Sequence, residues 1–237
     1  IQKESAKPAR DYSYPQLAVM LSAKAPGQNS IGTGGQDSIG ANRFTDPWES
    51  LEVAEIGQPY GGLFGKNKDD FGSGDGRYVT YMGVFGNAIS NLNMTGMIGV
   101  DKNQNEVKRG DVLFTISSET PNEVGMSSVW LEDTKNVYLN SFCFGFRPIP
   151  SLHSEFLAYV FRSSGFREKV CILAQGISRY NISKTKVMKI VITIPNSKEQ
   201  IKIGRYFRSL DEIISKNATQ LQKLKQIKSA CLEKMFV

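Results

Sequence analysis

A 4,3,4,3 step through residues 197–237 sets the strongest limit on what this chain can become. From Ile203 it lands on Phe207, Leu210, Ile214, Asn217, Leu221, Leu224, Lys228, Cys231 and Met235, and eight of these ten positions are apolar. A hydrophobic repeat of 3.5 residues sustained over four heptads is the pattern of a coiled coil rather than of a helix lying on a globular domain. Pro195 stops the preceding segment, and Ser197 with Gln200 three residues on forms a capping box. At 1.5 Å per residue such a helix is roughly 60 Å long. The seam is expected to pair with a second helix, and an antiparallel two-fold pairing would be centred near the middle of the repeat. Asn217 lies near the middle of the repeat and would meet its own copy there, fixing register, whereas Lys228 lies off centre and its stem can reach water. Solvation at a helix edge explains both polar positions equally well.

The rest of the chain is large enough for one ordinary domain. With 237 residues, 40% hydrophobic and 22% charged, it can bury a core and still spare a separate helix. It has no run of eighteen apolar residues and no basic-then-apolar leader, so a cytoplasmic protein is expected, without membrane partners. Its first residue, Ile1, points to a processed or trimmed chain. Cys143, Cys171 and Cys231 are far apart in apolar contexts, which suits reduced, packed thiols.

Charge is distributed unevenly. Residues 1–160 carry 13 Lys and Arg against 18 Asp and Glu; residues 161–190 carry seven basic side chains against Glu168 alone; residues 191–237 carry nine against four. A cationic excess confined to the last third suits a phosphate-binding surface, although a solvated basic helix face would look the same.

Residues 1–41, rich in Gly, Ser and Ala, read as an arm or linker, 42–196 as a domain, and 197–237 as the helix. Within the domain, β character recurs at Leu51 to Ile56, Tyr78 to Met82, Asp111 to Ile116, Ser128 to Leu131, Asn136 to Leu139 and Phe142 to Phe146. Long loops are expected at residues 57–76 and 83–107. Ser151 is expected to cap a helix carrying Phe156, Leu157 and Val160, a second short helix covers Phe166 to Leu173, and an apolar strand runs from Val187 to Ile194. The fold class is therefore α+β: a β-rich domain with small helices, then a long C-terminal helix forming a coiled coil, whose antiparallel sense is what the resemblance described below implies.

Reacting groups are scarce. His153 is the sole histidine, which leaves a histidine-based metal site or a Ser-His-Asp triad without its parts. The run Gly72-Ser73-Gly74-Asp75-Gly76 lacks both the GK[ST] ending of a P-loop and the GxGxxG pattern, and reads as a flexible loop. Asp69 and Asp70, with Glu119, are the only basis for a metal-dependent hydrolase or nuclease, and adjacent loop carboxylates are more often merely solvated. A non-DNA binding module that oligomerises through its helix is a third reading. The densest binding signal is residues 175–186, where Arg179, Tyr180, Asn181, Ser183, Lys184 and Lys186 offer donors for phosphates, an amide able to pair adenine and an aromatic ring. Bracing of the junction between domain and helix would use the same residues. Lys66, Lys68 and Arg77 in and beside the first long loop, and Ser118 in the polar stretch after a strand, are further candidates for contact.

Five stretches in this order carry a resemblance. They are Arg43-Phe44-Thr45-Asp46-Pro47-Trp48-Glu49; Lys108-Arg109-Gly110-Asp111-Val112-Leu113-Phe114; Gly176 with Arg179-Tyr180-Asn181-Ile182-Ser183; Ile194-Pro195 with Glu199-Gln200, Ile203 and Leu210-Asp211; and Lys228 to Met235-Phe236. Over residues 42–237 the chain resembles the specificity subunit of type I DNA restriction-modification systems. The resemblance implies an α+β target-recognition domain whose loops read half of a split duplex site, and a conserved helix that pairs antiparallel with another. It implies no catalysis and no cofactor of its own. Methyltransferase subunits would supply the S-adenosylmethionine chemistry and a motor subunit the cleavage. The usual subunit carries two recognition domains and two helices, and this chain has one of each, so it is expected either to complete itself as a homodimer or to be part of a longer protein.

Overall fold

The structure, a computed structural model, describes residues 48–235. The arm at 1–41 and the first residues of the opening motif, 42–47, lie outside the described residues.

The expected run at Asp111 becomes β6 (Val112–Thr115), the centre of a five-stranded sheet. All four of its residues are buried because the sheet is covered on both sides. Side chains alternate between faces: Val112 and Phe114 join a cluster with Phe156, Leu157, Phe161 and Phe166, whereas Leu113 joins Val79, Trp130, Val137 and Leu139. Antiparallel neighbours flank it, β8 (Ser127–Trp130) and β10 (Cys143–Pro148). Outside these lie β2 (Gly57–Gly61), antiparallel to β10, and β4 (Ile89–Ser90), parallel to β8. Phe114 stacks on Phe144 at 5.0 Å between centroids and meets the edge of Phe161 at 5.3 Å, geometries that favour aromatic pairs.

The motif around Asp111 works inside this sheet. Its buried carboxylate accepts from Tyr60 Oη (2.7 Å), the Lys108 N–H (2.9 Å), and Arg147 Nε (2.9 Å) and Nη2 (2.7 Å). Burial, and then the Asp111 charge, push the Tyr60 phenol well above its usual range. Gly145 is required beneath that ring, because a Cβ there would stand 2.0 Å from Tyr60 Cζ.

A three-stranded sheet takes in much of the sequence expected to be loop. Here β3 (Phe71–Val79) pairs antiparallel with β5 (Thr95–Ile98) and parallel with β9 (Val137–Leu139). The glycine run expected to be flexible is a bulge in β3: the register shifts between Phe71 and Gly76, with Gly72 and Gly74 at positive φ. The expected strand Tyr78 to Met82 stops at Val79, since the Thr80 hydroxyl accepts from the Gly83 N–H (3.1 Å) and starts α1 (Tyr81–Gly86).

Two further helices, α2 (Ser154–Val160) and α3 (Ser164–Ile172), lie where helices were expected. The residue before α2 is His153 rather than Ser151. Residues 187–194 are not one strand: α4 (Lys184–Met188) closes first, and β12 (Val191–Ile194) then pairs antiparallel with β1 (Glu49–Glu52), Leu51 opposite Ile192.

The long helix α5 runs over Ser197–Met235, 39 residues, or about 58 Å. Asn196, not Ser197, caps it, accepting the Glu199 N–H at 3.0 Å. Gln200 does not close a capping box: its amide donates to Pro195 O and its oxygen accepts from the His153 N–H, both at 2.9 Å. Glu199 accepts from Trp48 Nε1 at 2.9 Å. This end of the helix is thus built into the domain. Ile203 and Phe207 are buried, Phe207 against Tyr159 of α2 (5.4 Å between ring centroids), and Leu210 packs on the same core. From Glu212 to Met235 every residue is exposed. No helix among the described residues is long and apolar enough to cross a membrane.

Candidate nucleic-acid interface

The polar stretch after β6 and the basic stretch near residue 180 are neighbours. Ser117–Ser118 forms β7 and Tyr180–Asn181 forms β11; they pair antiparallel, Tyr180 opposite Ser118 and Asn181 opposite Ser117. The array extends both ways. On one side the Gln175 and Asn181 backbones exchange two N–H···O=C bonds of 2.9 Å. On the other, Ile116 takes the Ile182 N–H (3.0 Å) on its carbonyl and donates its own N–H to Phe142 O (2.9 Å). A small platform of backbone ribbons therefore sits at one end of the five-stranded sheet.

Its outer residues are the expected ones. Arg179, Asn181, Ser183, Lys184 and Lys186 are exposed, while Tyr180 is half-buried against the core. The Asn181 amide donates weakly to Arg179 O (3.3 Å). Ser118 is only 7% exposed; its hydroxyl donates to Glu123 Oε2 at 3.3 Å, and its backbone pairs opposite Tyr180. Lys66, Lys68 and Arg77 belong to the other sheet and the turn that leads into it. Lys66 is committed to Asp101 (2.8 Å), Arg77 donates to Thr95 Oγ1 (3.2 Å), and Lys68 is exposed in a single turn of 3-10 helix.

Two cations counted in the basic region serve the fold. Arg162 is buried and donates to the carbonyls of Ser127, Val84, Phe85 and Asn87; Arg167 donates to those of Gly125, Asn122 and Val124. The exposed excess is carried by Arg179, Lys184, Lys186 and Lys189 beside the platform, with Lys169 on α3. Tyr81 is a residue that sequence reasoning missed. It opens α1 and donates to Ser117 O at 2.6 Å, locking α1 to the platform. Burial raises its pKa, and the nearby Arg179 charge opposes that rise. No sequence signal marked it, because its partner is 36 residues away. Phe142, exposed at the edge of the platform, was counted only as strand.

The carboxylates considered for metal chemistry have other work or none. Asp70 accepts the Asn67 N–H (2.7 Å) in a capping box, and Asp69 and Glu119 are solvated. Among the described residues no three His, Cys, Asp or Glu are grouped to hold a metal ion.

The seam of α5 is divided by the same domain. Ile203 and Phe207 are used by the chain's own α2, so they are not free for a second helix, and Leu210 is shared with the core. Ile214, Leu221, Leu224, Cys231 and Met235 remain exposed, Leu224 at 63%, with Asn217 among them. Ile213, Ile227 and Leu232 widen the stripe.

Against known proteins, residues 45–226 match the family model of the type I restriction modification DNA specificity domain. No match is found among curated proteins. Among solved structures the fold is similar to the type-I restriction-modification system S subunit from M. genitalium, with a TM-score of 0.56, 14% identity, and coverage of 83% of this chain and 47% of that one. It is also similar to the HsdS subunit from Thermoanaerobacter tengcongensis, with a TM-score of 0.52, 19% identity, and coverage of 80% and 44%. The chain spans about half the length of the structures it matches.

Proposed function

From its membership in the family of type I restriction modification DNA specificity domains, to which this chain belongs, we propose that it is the sequence-reading subunit of a restriction-modification complex. It carries no catalysis itself. The domain reads one half of a split duplex site, methyltransferase subunits dock on it and bring S-adenosylmethionine, and a motor subunit adds cleavage. The observation that carries this reading is the β7–β11 pair, which draws two distant polar stretches into one platform bordered by Arg179, Lys184 and Lys186. Cations fix the phosphates, while an Arg donating twice to guanine and an Asn donating to N7 and accepting from N6 of adenine distinguish those bases in the major groove.

A second copy, or the other half of a longer protein, covers the exposed stripe of α5. Two recognition domains then stand at the ends of a paired rod, and its length sets the distance between half-sites.

The test is binding of a bipartite duplex, identified by methylation-site sequencing in cells, to the complex with its methyltransferase subunits. Arg179→Ala with Lys184→Ala is expected to weaken binding at least tenfold and to reduce the salt slope by about 1, for the phosphate contact of Lys184, the base contact being lost with Arg179. Leu221→Ser with Leu224→Ser is expected to leave the domain folded and abolish pairing in sedimentation. Unchanged affinity and slope in the first variant overturn the interface.

A further inference from the structure

The platform ends in a hairpin whose tip is of the wrong chemistry for phosphate. Ile177 is 97% exposed, the most exposed large apolar side chain among the described residues. The loop that presents it is constrained. Its base is clamped by the reciprocal bonds between Gln175 and Asn181, and Asn181 is paired in turn with Ser117. Gly176 has φ +147°, and a Cβ there would stand 2.0 Å from Arg179 O, so only glycine lets the chain turn this tightly. Gly176 and Ser178 on either side are small, which leaves the Ile177 side chain as the leading point of the hairpin.

Arg179, two residues on, and Lys184 and Lys186 further along the chain are exposed cations, and the partner proposed above is an anionic duplex. Phosphate oxygens offer a sec-butyl group nothing. A two-stranded ribbon, with strands about 4.8 Å apart and side chains beyond, fits the major groove of about 12 Å and not the minor groove of about 6 Å. On the floor of the major groove the apolar group is the 5-methyl of thymine. We propose that Ile177 reads a thymine through that methyl, while Arg179 and Asn181 address neighbouring base edges. This assignment rests on the DNA-reading function proposed above and adds one base to it.

The test uses the complex with its methyltransferase subunits and its methylated target, with each dT of the half-site replaced in turn by dU, which removes only the methyl. For the wild-type complex, one replacement is expected to weaken binding about fourfold, equivalent to about 0.8 kcal/mol at 1.4 kcal/mol per tenfold. In Ile177→Ala that position becomes indifferent to the methyl, while responses at other positions, thermal unfolding and complex assembly are unchanged. The inference is overturned if no replacement matters, if Ile177→Ala keeps the wild-type profile, if the half-site holds only G·C pairs, or if Ile177→Ala instead fails to assemble with the methyltransferase. A wild-type complex that binds no duplex at all removes the DNA-reading function, and this inference with it; binding without a methyl-sensitive position removes this inference alone.

Discussion

Replacing Gly204 by Ala sets two effects of opposite sign against each other where α5 leaves the domain. In the middle of a helix Ala is favoured over Gly by about 1 kcal/mol. The added methyl, however, would stand 2.8 Å from Phe156 N, 2.9 Å from Glu155 Cβ and 3.0 Å from Glu155 C. Two of those three atoms are backbone, and α2 has no room to retreat, since Phe156 and Leu157 are buried in the main cluster. The long helix must lift instead. A gap of 0.5–1 Å forfeits about a quarter to a half of each dispersion contact around Ile203 and Phe207, and overpacking of this kind costs about 1–3 kcal/mol. A net loss of about 1 kcal/mol is expected, with a fall in melting temperature of about 2–4 °C. The assay is urea unfolding followed by circular dichroism at one fixed protein concentration, because pairing would make the midpoint concentration-dependent. A gain of about 1 kcal/mol, the value of helix propensity alone, would refute the close crossing of α2 and α5.

Three other outcomes follow from the same structure. Asp111→Ala removes the acceptor of four hydrogen bonds and leaves Arg147 without its carboxylate; because Arg147 is partly solvated, a loss of about 3 kcal/mol is expected, and a loss under about 1 kcal/mol in urea would contradict the role given to this motif. Native protein should react with a thiol reagent at exposed Cys231 first, whereas Cys143, whose burial pushes its thiol well up, reacts only on unfolding; rod pairing should slow Cys231 as protein concentration rises. Asp101 is held down to about 2 by the Lys66 ammonium, the Asn103 N–H and Gln104. Its stabilising contribution is complete above the ordinary carboxylate value of 3.8 and fades as pH falls toward about 2. In Lys66→Ala the carboxyl titration seen by NMR should move up toward 3.8, and an unmoved midpoint would remove Lys66 as the main cause.

What was legible in the sequence were the features fixed by local pattern. The apolar run at Val112 announced a strand because both faces of that strand are buried, and the heptad spacing gave the long helix to within one residue at its start. Even there, the cap moved from Ser197 to Asn196 because Gln200 bonds to Pro195 and His153 rather than back along its own turn. Features fixed by distant partners were not legible. Gly72 to Gly76 reads as a loop until β5 pairs with it, and Tyr81 acquires its place only when Ser117 arrives to accept its hydroxyl. The basic stretch was visible as charge, but not which cations it had to spare. Arg162 and Arg167 look like Arg179 in sequence, and only the fold shows them bound to backbone carbonyls.

The antiparallel match of Glu49–Glu52 with Val191–Ile194 makes the domain's first and last strands a single seam at the foot of the rod. The chain between residues 53 and 190 leaves and returns at that seam, and α2 adds a second hold on the long helix through His153, Phe156 and Tyr159, so loops away from α2 can be rewritten, lengthened or exchanged without displacing the shaft. Change in those loops and preservation of the shaft are, in this architecture, separable events.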